Sequence, residues 1–149
     1  MSNLKIAGLT VMAAMILAAC GGARQESGEV TMRADLGGAQ EVPPVNTGAS
    51  GLARVWVDQD TDTVTWTVNY AGLSGPAVAA HFHGPAAPGA NAGVQIPIVA
   101  KGPASSPVSG AAKLTDQQEK DLLAGRYYIN IHTPAHPAGE IRGQVLPAR

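Results

Sequence analysis

The chain has 149 residues, of which 45% are hydrophobic and 14% charged, and its formal net charge is −1. This length fits one domain, the balanced charge argues against a nucleic-acid partner, and the hydrophobic content is too high for a disordered chain. The single cysteine, Cys20, excludes an internal disulfide and a cysteine-rich metal site.

The N-terminal segment predicts a lipoprotein signal peptide. An apolar run follows Lys5 and is too short for a comfortable membrane span. The run ends in LAACG, which resembles a bacterial lipobox, in which the lipidated cysteine becomes the first mature residue. We therefore expect residues 1–19 to be removed, Cys20 to carry the lipid, and residues 20–29 to form a flexible tether.

The expected location follows from the residues around the lipidation site. Cys20 would anchor an exported protein in a membrane. Gly21 stands where an aspartate commonly retains such lipoproteins in the inner membrane, so the outer membrane or the cell surface is expected, facing the periplasm or the exterior. An ordinary secreted protein with a free thiol is the alternative.

Alternation of apolar and polar residues dominates the chain from Val30 onward and is typical of strands. Residues 58–62 predict a hairpin turn between two of these segments. The spacing indicates an all-β fold, an antiparallel Greek-key β-sandwich or flattened barrel of about seven or eight strands. The segments that show this pattern are 30–36, 52–58, 63–70, 77–82, 94–99, 126–132 and 140–146.

One segment breaks the alternation and predicts a short helix from Thr115 to Gly125. Thr115 and Gln118 have the spacing of a capping box, and Gly125 suits the position just past a helix end. We expect this helix to cover an open end of the sandwich. Two stretches rich in Pro, Ala, Gly and Ser are predicted to be loops, 84–93 and 101–110.

The four histidines form two pairs in the sequence. His81 and His83 would project from one face of a strand about 6.5 to 7 Å apart, where two imidazoles can share one metal ion. His132 ends another predicted strand and could supply a third ligand, and His136 a fourth. Packed or exposed histidines without a metal are the alternative interpretation.

The residue types narrow the choice of metal to copper, with zinc second. Imidazole suits copper, zinc, nickel and iron. A blue-copper centre needs a thiolate, which lipidation of Cys20 removes, and only Met32 is left beyond the signal peptide for a methionine-rich copper carrier. An all-nitrogen copper site is therefore expected, and iron with Glu140 as carboxylate ligand is a further alternative.

Three blocks of the sequence resemble the signature of the CHRD domain family, which was first named from chordin and is frequent in bacterial exported proteins. The resemblance implies a single CHRD domain over residues 30–149. In chordin, such domains belong to an extracellular growth-factor antagonist, which implies little for a bacterial lipoprotein. The blocks are GAQEVPPVNTGASG (38–51), AAHFHGPAAPGANAG (79–93) and LLAGRYYINIHTPAHPAGEIRGQV (122–145).

The histidine motifs are also similar, more distantly, to the copper site of copper-zinc superoxide dismutases. Those Greek-key sandwiches carry a His-x-His on one strand, a copper-binding histidine ending another, and then a strand whose arginine steers superoxide. His81, His83, His132 and Arg142 stand in this order. The resemblance implies copper on the three histidines and a docking role for Arg142.

The departures from that enzyme concern proton delivery. Its zinc subsite and its loop-anchoring disulfide have no counterpart in this sequence, although copper-only dismutases lack the zinc as well. The resemblance then leaves His136 or Glu140 to deliver protons, and His136 could instead be a fourth ligand. For Arg142, an ion pair with a carboxylate such as Glu41 is the alternative to a catalytic role.

Together these patterns predict an envelope-anchored copper protein that acts as a copper-only superoxide dismutase-like enzyme on a small anionic substrate. A non-catalytic copper-binding or buffering lipoprotein is the first alternative. An extracellular module that binds a protein or polysaccharide, with structural histidines, is the second. A homodimer or an envelope protein partner is a further expectation.

Overall fold

The computed structural model describes residues 28–100 and 102–148. The signal peptide predicted over residues 1–19, Cys20 and most of the tether predicted over 20–29 lie outside the described residues. The last tether residue, Glu29, already belongs to the first strand. Within the described part of the chain, no helix is both long and apolar enough to cross a membrane.

The described residues form nine strands, one α-helix and a short 3₁₀ turn at Gly38–Gln40. The elements are β1 (Glu29–Gly37), β2 (Ser50–Asp58), β3 (Thr63–Ala71), β4 (Ala79–His83), β5 (Val94–Val99), β6 (Val108–Lys113), α1 (Asp116–Leu123), β7 (Tyr128–His132), β8 (Ile141–Gln144) and β9 (Leu146–Pro147). The predicted segment 94–99 matches β5, five other predicted segments differ from the observed strands by one or two residues at their ends, and 140–146 is divided between β8 and β9.

The strands form one antiparallel sheet in the order β5-β4-β7-β8-β1-β2-β3-β6, with β9 beside β1. β5 and β6, at the two ends of this order, also contact each other, so the sheet nearly closes into a barrel. Around the barrel β4, β5 and β6 are consecutive and β7 returns to lie beside β4, which is a Greek-key arrangement. The predicted all-β fold, a flattened barrel with one short helix, is confirmed.

Alternation along the strands separates the core of the barrel from its outer face. Trp66 of β3 packs edge to face on Phe82 of β4, with 5.3 Å between ring centroids, and both are buried. Because Phe82 points inward, its neighbours His81 and His83 project from the outer face. The histidines therefore lie outside the core, on a surface that loops can cover.

The helix begins and ends where the sequence predicts. The Thr115 hydroxyl accepts a hydrogen bond from the Gln118 backbone N–H, and the Gln118 side chain accepts one from the Thr115 backbone N–H. Gly125 has φ of +70°, in the left-handed region that glycine adopts readily. Leu122 is fully buried in the core, so α1 packs against the barrel through it.

The loop predicted over residues 101–110 is wrong at its end, because β6 begins at Val108 and pairs with β3. The segment VSGAAK shows no alternation, since most of its residues are small. Small residues are needed here: a Cβ on Gly110 would lie 2.6 Å from the indole ring of Trp66. Close contact with a large neighbour in β3 thus decides the composition of this strand.

Candidate metal centre

Three of the four histidines meet on the outer face of strands β4 and β7. The strands pair antiparallel, with Ala79 opposite His132 and His81 opposite Asn130, which brings the end of β7 beside the His-x-His motif. One ring nitrogen of each of His81, His83 and His132 lies within 4.8 Å of those of the other two. The structure thus brings together three of the ligands that the sequence predicts.

Backbone carbonyls determine which ring nitrogen is free in two of these histidines. His83 Nδ1 lies 3.0 Å from the Ala92 carbonyl oxygen, and His132 Nδ1 lies 3.0 Å from that of Pro137. Because a carbonyl only accepts, each Nδ1 donates its hydrogen and each Nε2 keeps a lone pair. His83 Nε2 is buried and has no hydrogen-bond partner, which fits a ligand atom.

The third histidine, His81, presents Nδ1 to the cluster instead of Nε2. His81 Nδ1 lies 3.2 Å from His132 Nε2. Two nitrogens that bind one metal at about 2.0 Å in a tetrahedral or trigonal arrangement are roughly 3.3 to 3.5 Å apart. The candidate ligand set is therefore Nδ1 of His81 with Nε2 of His83 and of His132.

The surroundings favour neutral imidazoles. Burial is the largest cause that lowers the pKa of His81, His83 and His132. The charge of His132 lowers the pKa of His81 further, whereas the Ala92 carbonyl partly raises that of His83. Neutral imidazole is the form that binds a metal, so the cluster is prepared for one near neutral pH.

The ring of His83 is held at one end of a stack that continues with Tyr128 and Arg142. The Tyr128 ring lies parallel to it, with an interplanar angle of 4° and 4.9 Å between centroids. The Arg142 guanidinium lies 3.4 Å from the centroid of the Tyr128 ring, a cation–π contact. The Tyr128 hydroxyl also donates to the Ala92 carbonyl and accepts from the Ala92 N–H, at 3.3 and 3.1 Å. The same loop residue therefore orients both rings.

Arg142 holds the loop between β4 and β5 over this stack. It donates to the Ala90 carbonyl at 2.6 Å and to Asn91 Oδ1 at 3.0 Å. The Asn91 amide in turn donates to the Val42 carbonyl at 3.2 Å, which ties this loop to the one that follows β1. Only 2% of Arg142 is exposed, so its guanidinium is engaged by the protein. This geometry supports a role for Arg142 in holding the loop in place, more than the docking role that the resemblance implies.

Glu41 is a buried acid beside the site. Among the described residues it forms no ion pair with Arg142, the alternative that the sequence left open. Its Oε1 is buried and accepts no hydrogen bond, and a Cβ on Gly139 would lie 2.5 Å from it and 2.6 Å from Asn130 Nδ2. Burial raises the pKa of Glu41 to about 7, against the opposing effects of the Arg142 charge and the nearby Asn130 amide. Glu41 therefore titrates near neutral pH.

Glu140, expected to deliver protons, is fully buried and has many donors. Its carboxylate accepts from the Ser74 hydroxyl at 2.7 Å and backbone N–H at 2.9 Å, from Thr133 at 2.7 Å and from Thr47 at 2.8 Å. Burial raises its pKa, but these hydrogen bonds together lower it to about 2. Glu140 therefore ties three loops together as a carboxylate, and this geometry gives no support to a proton-delivery role.

His136 is outside the three-histidine cluster. It lies in the turn between β7 and β8, where its backbone N–H donates to the Thr133 carbonyl at 3.1 Å. The structure thus does not bring this fourth candidate ligand to the others. Sequence reasoning places Tyr128 and Asn130 on the face of His132 by alternation, but no sequence signal marks the carbonyls of Ala92 and Pro137 as partners of the histidines.

The comparison with known families identifies the family of this chain. The family model of the CHRD domain matches residues 32–145. No curated protein and no solved structure matches the chain. The matched region contains all the strands that carry the histidine cluster, together with Glu41, Glu140 and Arg142. The chain belongs to the CHRD domain family.

Proposed function

We propose that this CHRD domain binds one copper ion through His81, His83 and His132 and acts as a copper-only superoxide dismutase-like enzyme at the cell envelope. The convergence of three imidazole nitrogens, two of them set by loop carbonyls, carries the proposal. An all-nitrogen set suits copper, with zinc as the second choice. Attachment through Cys20 to the outer membrane or cell surface is part of the proposal and is supported by the LAACG sequence.

Copper, when bound, would supply the one-electron Cu(II)/Cu(I) chemistry that superoxide dismutation requires. The chain contributes orientation and electrostatics. Tyr128 and Ala92 hold His83, and Pro137 holds His132. Partial exposure of His81 and His132 leaves one side of the cluster open to a small anion. The positive charge of Arg142 would attract such an anion through the field rather than by direct contact.

Metal analysis and electron paramagnetic resonance of copper-loaded protein test this function. We expect one copper per chain and a type 2 Cu(II) spectrum with nitrogen splitting, lost in His83→Ala. His136→Ala is the matched control, because it removes a histidine outside the cluster and should keep the spectrum. Dismutation no faster than that of free copper, or full activity of His83→Ala, would contradict the proposed enzymatic activity.

A non-catalytic copper-binding or buffering lipoprotein is the second candidate. The observation that favours it is the burial of Arg142, whose guanidinium is engaged by Ala90 and Asn91. This function predicts the same ligands and the same spectrum. It differs in that copper would pass to a competing chelator, while superoxide would disappear no faster than with free copper.

A further inference from the structure

One oxygen of the Glu41 carboxyl is buried without a partner at the edge of the candidate metal centre. Glu41 lies in the segment between β1 and β2 and is 6% exposed. Its Oε1 is fully shielded from solvent and accepts no hydrogen bond. Burying a carboxyl in this way costs free energy, and the nearby Asn130 amide and the Arg142 charge offset only part of it. Such unsatisfied ionisable groups are concentrated at functional sites.

The sheet places this carboxyl one residue away from the histidines. Asn130 of β7 pairs in register with His81 of β4 on one side and with Arg142 of β8 on the other. Glu41 Oε1 and Asn130 Nδ2 both pack against Gly139, which has no side chain to keep them away. The Asn130 side chain acts on the pKa values of both Glu41 and His83. Asn130 thus separates Glu41 from the cluster by a single side chain.

Glu41 also has its own access to solvent. It lines an open cleft of about 360 Å³, whose lining residues include no histidine. A proton path from this cleft to Glu41 would therefore not pass through the cluster. The cleft is lined by Ala39, Gln40, Glu41, Val42, Pro44, Pro88, Gly89, Arg142 and Gln144.

We propose that Glu41 is the proton-holding residue of this site, taking up a proton when the metal centre gains an electron and releasing it when the centre loses that electron. The inference rests on the proposed copper function. An added electron makes the site more negative by one charge, which favours protonation of a nearby buried acid. Burial already raises the pKa of Glu41 to about 7, so a small change in charge shifts its protonation at neutral pH.

Glu41 is the group that we expect to change its protonation when the metal centre gains an electron, because the groups around it are a charged arginine and uncharged amides. Arg142 of β8 is the charged neighbour, and its charge lowers the pKa of Glu41. Asn130 of β7, together with Gln40 and Gln144 at the cleft, is uncharged. The histidines lie beyond Asn130 in the sheet. Glu41 is therefore a positioning residue that acts through charge, without contact with the substrate.

Over one cycle of dismutation Glu41 takes up one proton and releases one, so the overall proton balance of the reaction is unchanged. One superoxide gives one electron to the site and leaves as dioxygen, while Glu41 takes one proton from water in the cleft. A second superoxide takes that electron and two protons and leaves as hydrogen peroxide. Glu41 releases its proton to solvent in this half-reaction, and solvent supplies the two that peroxide needs. In total, two superoxide ions and two protons give one dioxygen and one hydrogen peroxide.

The pH dependence of the copper reduction potential tests the proposal. We would measure it by redox titration of the copper-loaded full chain between about pH 5.5 and 8.5. The wild-type potential should fall as pH rises, because reduction takes up a proton. Glu41→Gln should remove most of that dependence around pH 7, and Glu41→Leu should do the same if the glutamine variant does not fold. Glu29→Gln is the matched control, since it removes the same charge far from the site. Glu29 begins β1, whereas Gly37 at the other end of β1 pairs with Arg142.

The outcomes separate this inference from the proposed function. A loss of pH dependence in the Glu41 variants, with the control unchanged, supports the inference and the copper binding on which it rests. A different outcome is a folded Glu41 variant that still binds copper, dismutates superoxide and keeps the pH dependence of the wild type. That result overturns the inference and leaves the function standing. A chain that binds no copper overturns both.

Discussion

Two buried glutamates near the site differ in their hydrogen-bond donors, and this difference determines their chemistry. Glu140 accepts from Ser74, Thr133 and Thr47, and its pKa falls to about 2. Glu41 has a buried oxygen that accepts no hydrogen bond, and its pKa rises to about 7. Residue type alone could not distinguish them, because the donors of Glu140 come from three separate loops.

Glu41 should destabilise the fold at neutral and higher pH. Its pKa is raised from 4.5 to about 7, so its contribution to the free energy of unfolding is complete below about pH 4.5 and is lost as pH rises to 7. The shift corresponds to roughly 3 kcal/mol. Chemical denaturation of wild type and Glu41→Gln at several pH values measures it. Equal pH dependence of the two proteins between pH 4.5 and 7 would show that Glu41 ionises normally.

Glu140 should act in the opposite direction. Its pKa is lowered from 4.5 to about 2, so its contribution is present above about pH 4.5 and is lost as pH falls to 2. We expect Glu140→Gln to lower the free energy of unfolding at pH 7 by about 3 kcal/mol and the deficit to disappear near pH 2. The measurement is the same denaturation series. A deficit that stays constant down to acidic pH would assign the loss to packing instead of charge.

At the level of elements, the loop between β4 and β5 completes the site. It supplies the Ala92 carbonyl to His83, and Arg142 and Tyr128 fix it from β8 and β7. The candidate ligands lie on strands, but the tautomers of His83 and His132 depend on loop carbonyls. Alternation could therefore predict the positions of the ligands and not the nitrogen that each one presents.

Replacing Tyr128 should weaken metal binding through this loop. Tyr128→Leu removes the stack on His83 and both hydrogen bonds to Ala92, and we expect a loss of about 10- to 100-fold in copper affinity. Tyr128→Phe keeps the stack and should lose less. Competition with a chelator measures both. Tyr70→Phe removes a hydroxyl that bonds to Ala104, away from the cluster, and is the control; an equal loss there would contradict the role of Tyr128.

At the scale of the whole molecule, the sequence predicts most of the barrel and part of the site. Strong alternation identifies the main strands other than β6, and a complete capping box identifies α1. β6 is missed because it packs closely against Trp66, which requires small residues that show no alternation. His81, His83 and His132 could be found because spacing on strands places them. The position of Glu41 beside Asn130 could not, because it depends on how distant loops fold over the sheet.

Metal binding should stabilise the whole barrel. A ligand that binds only the folded state raises its stability, by about 2.7 kcal/mol at one hundred times the dissociation constant. We expect copper to raise the melting temperature of wild type and of His136→Ala, and to leave that of His83→Ala unchanged. Thermal denaturation with and without metal checks this. Equal melting temperatures for loaded and metal-free wild type would favour an interaction module with structural histidines.

The order of strands in the sheet also sets when the site can exist. β4 and β7 are neighbours in the barrel, yet 44 residues separate the end of β4 at His83 from the start of β7 at Tyr128. A nascent chain that has not reached β7 holds two of the three ligands and lacks the strand that supports them. The proposed metal would therefore bind only after the chain is complete. If the chain is exported unfolded, as the proposed envelope location implies, the proposed metal would be acquired on the far side of the membrane, from the supply present there.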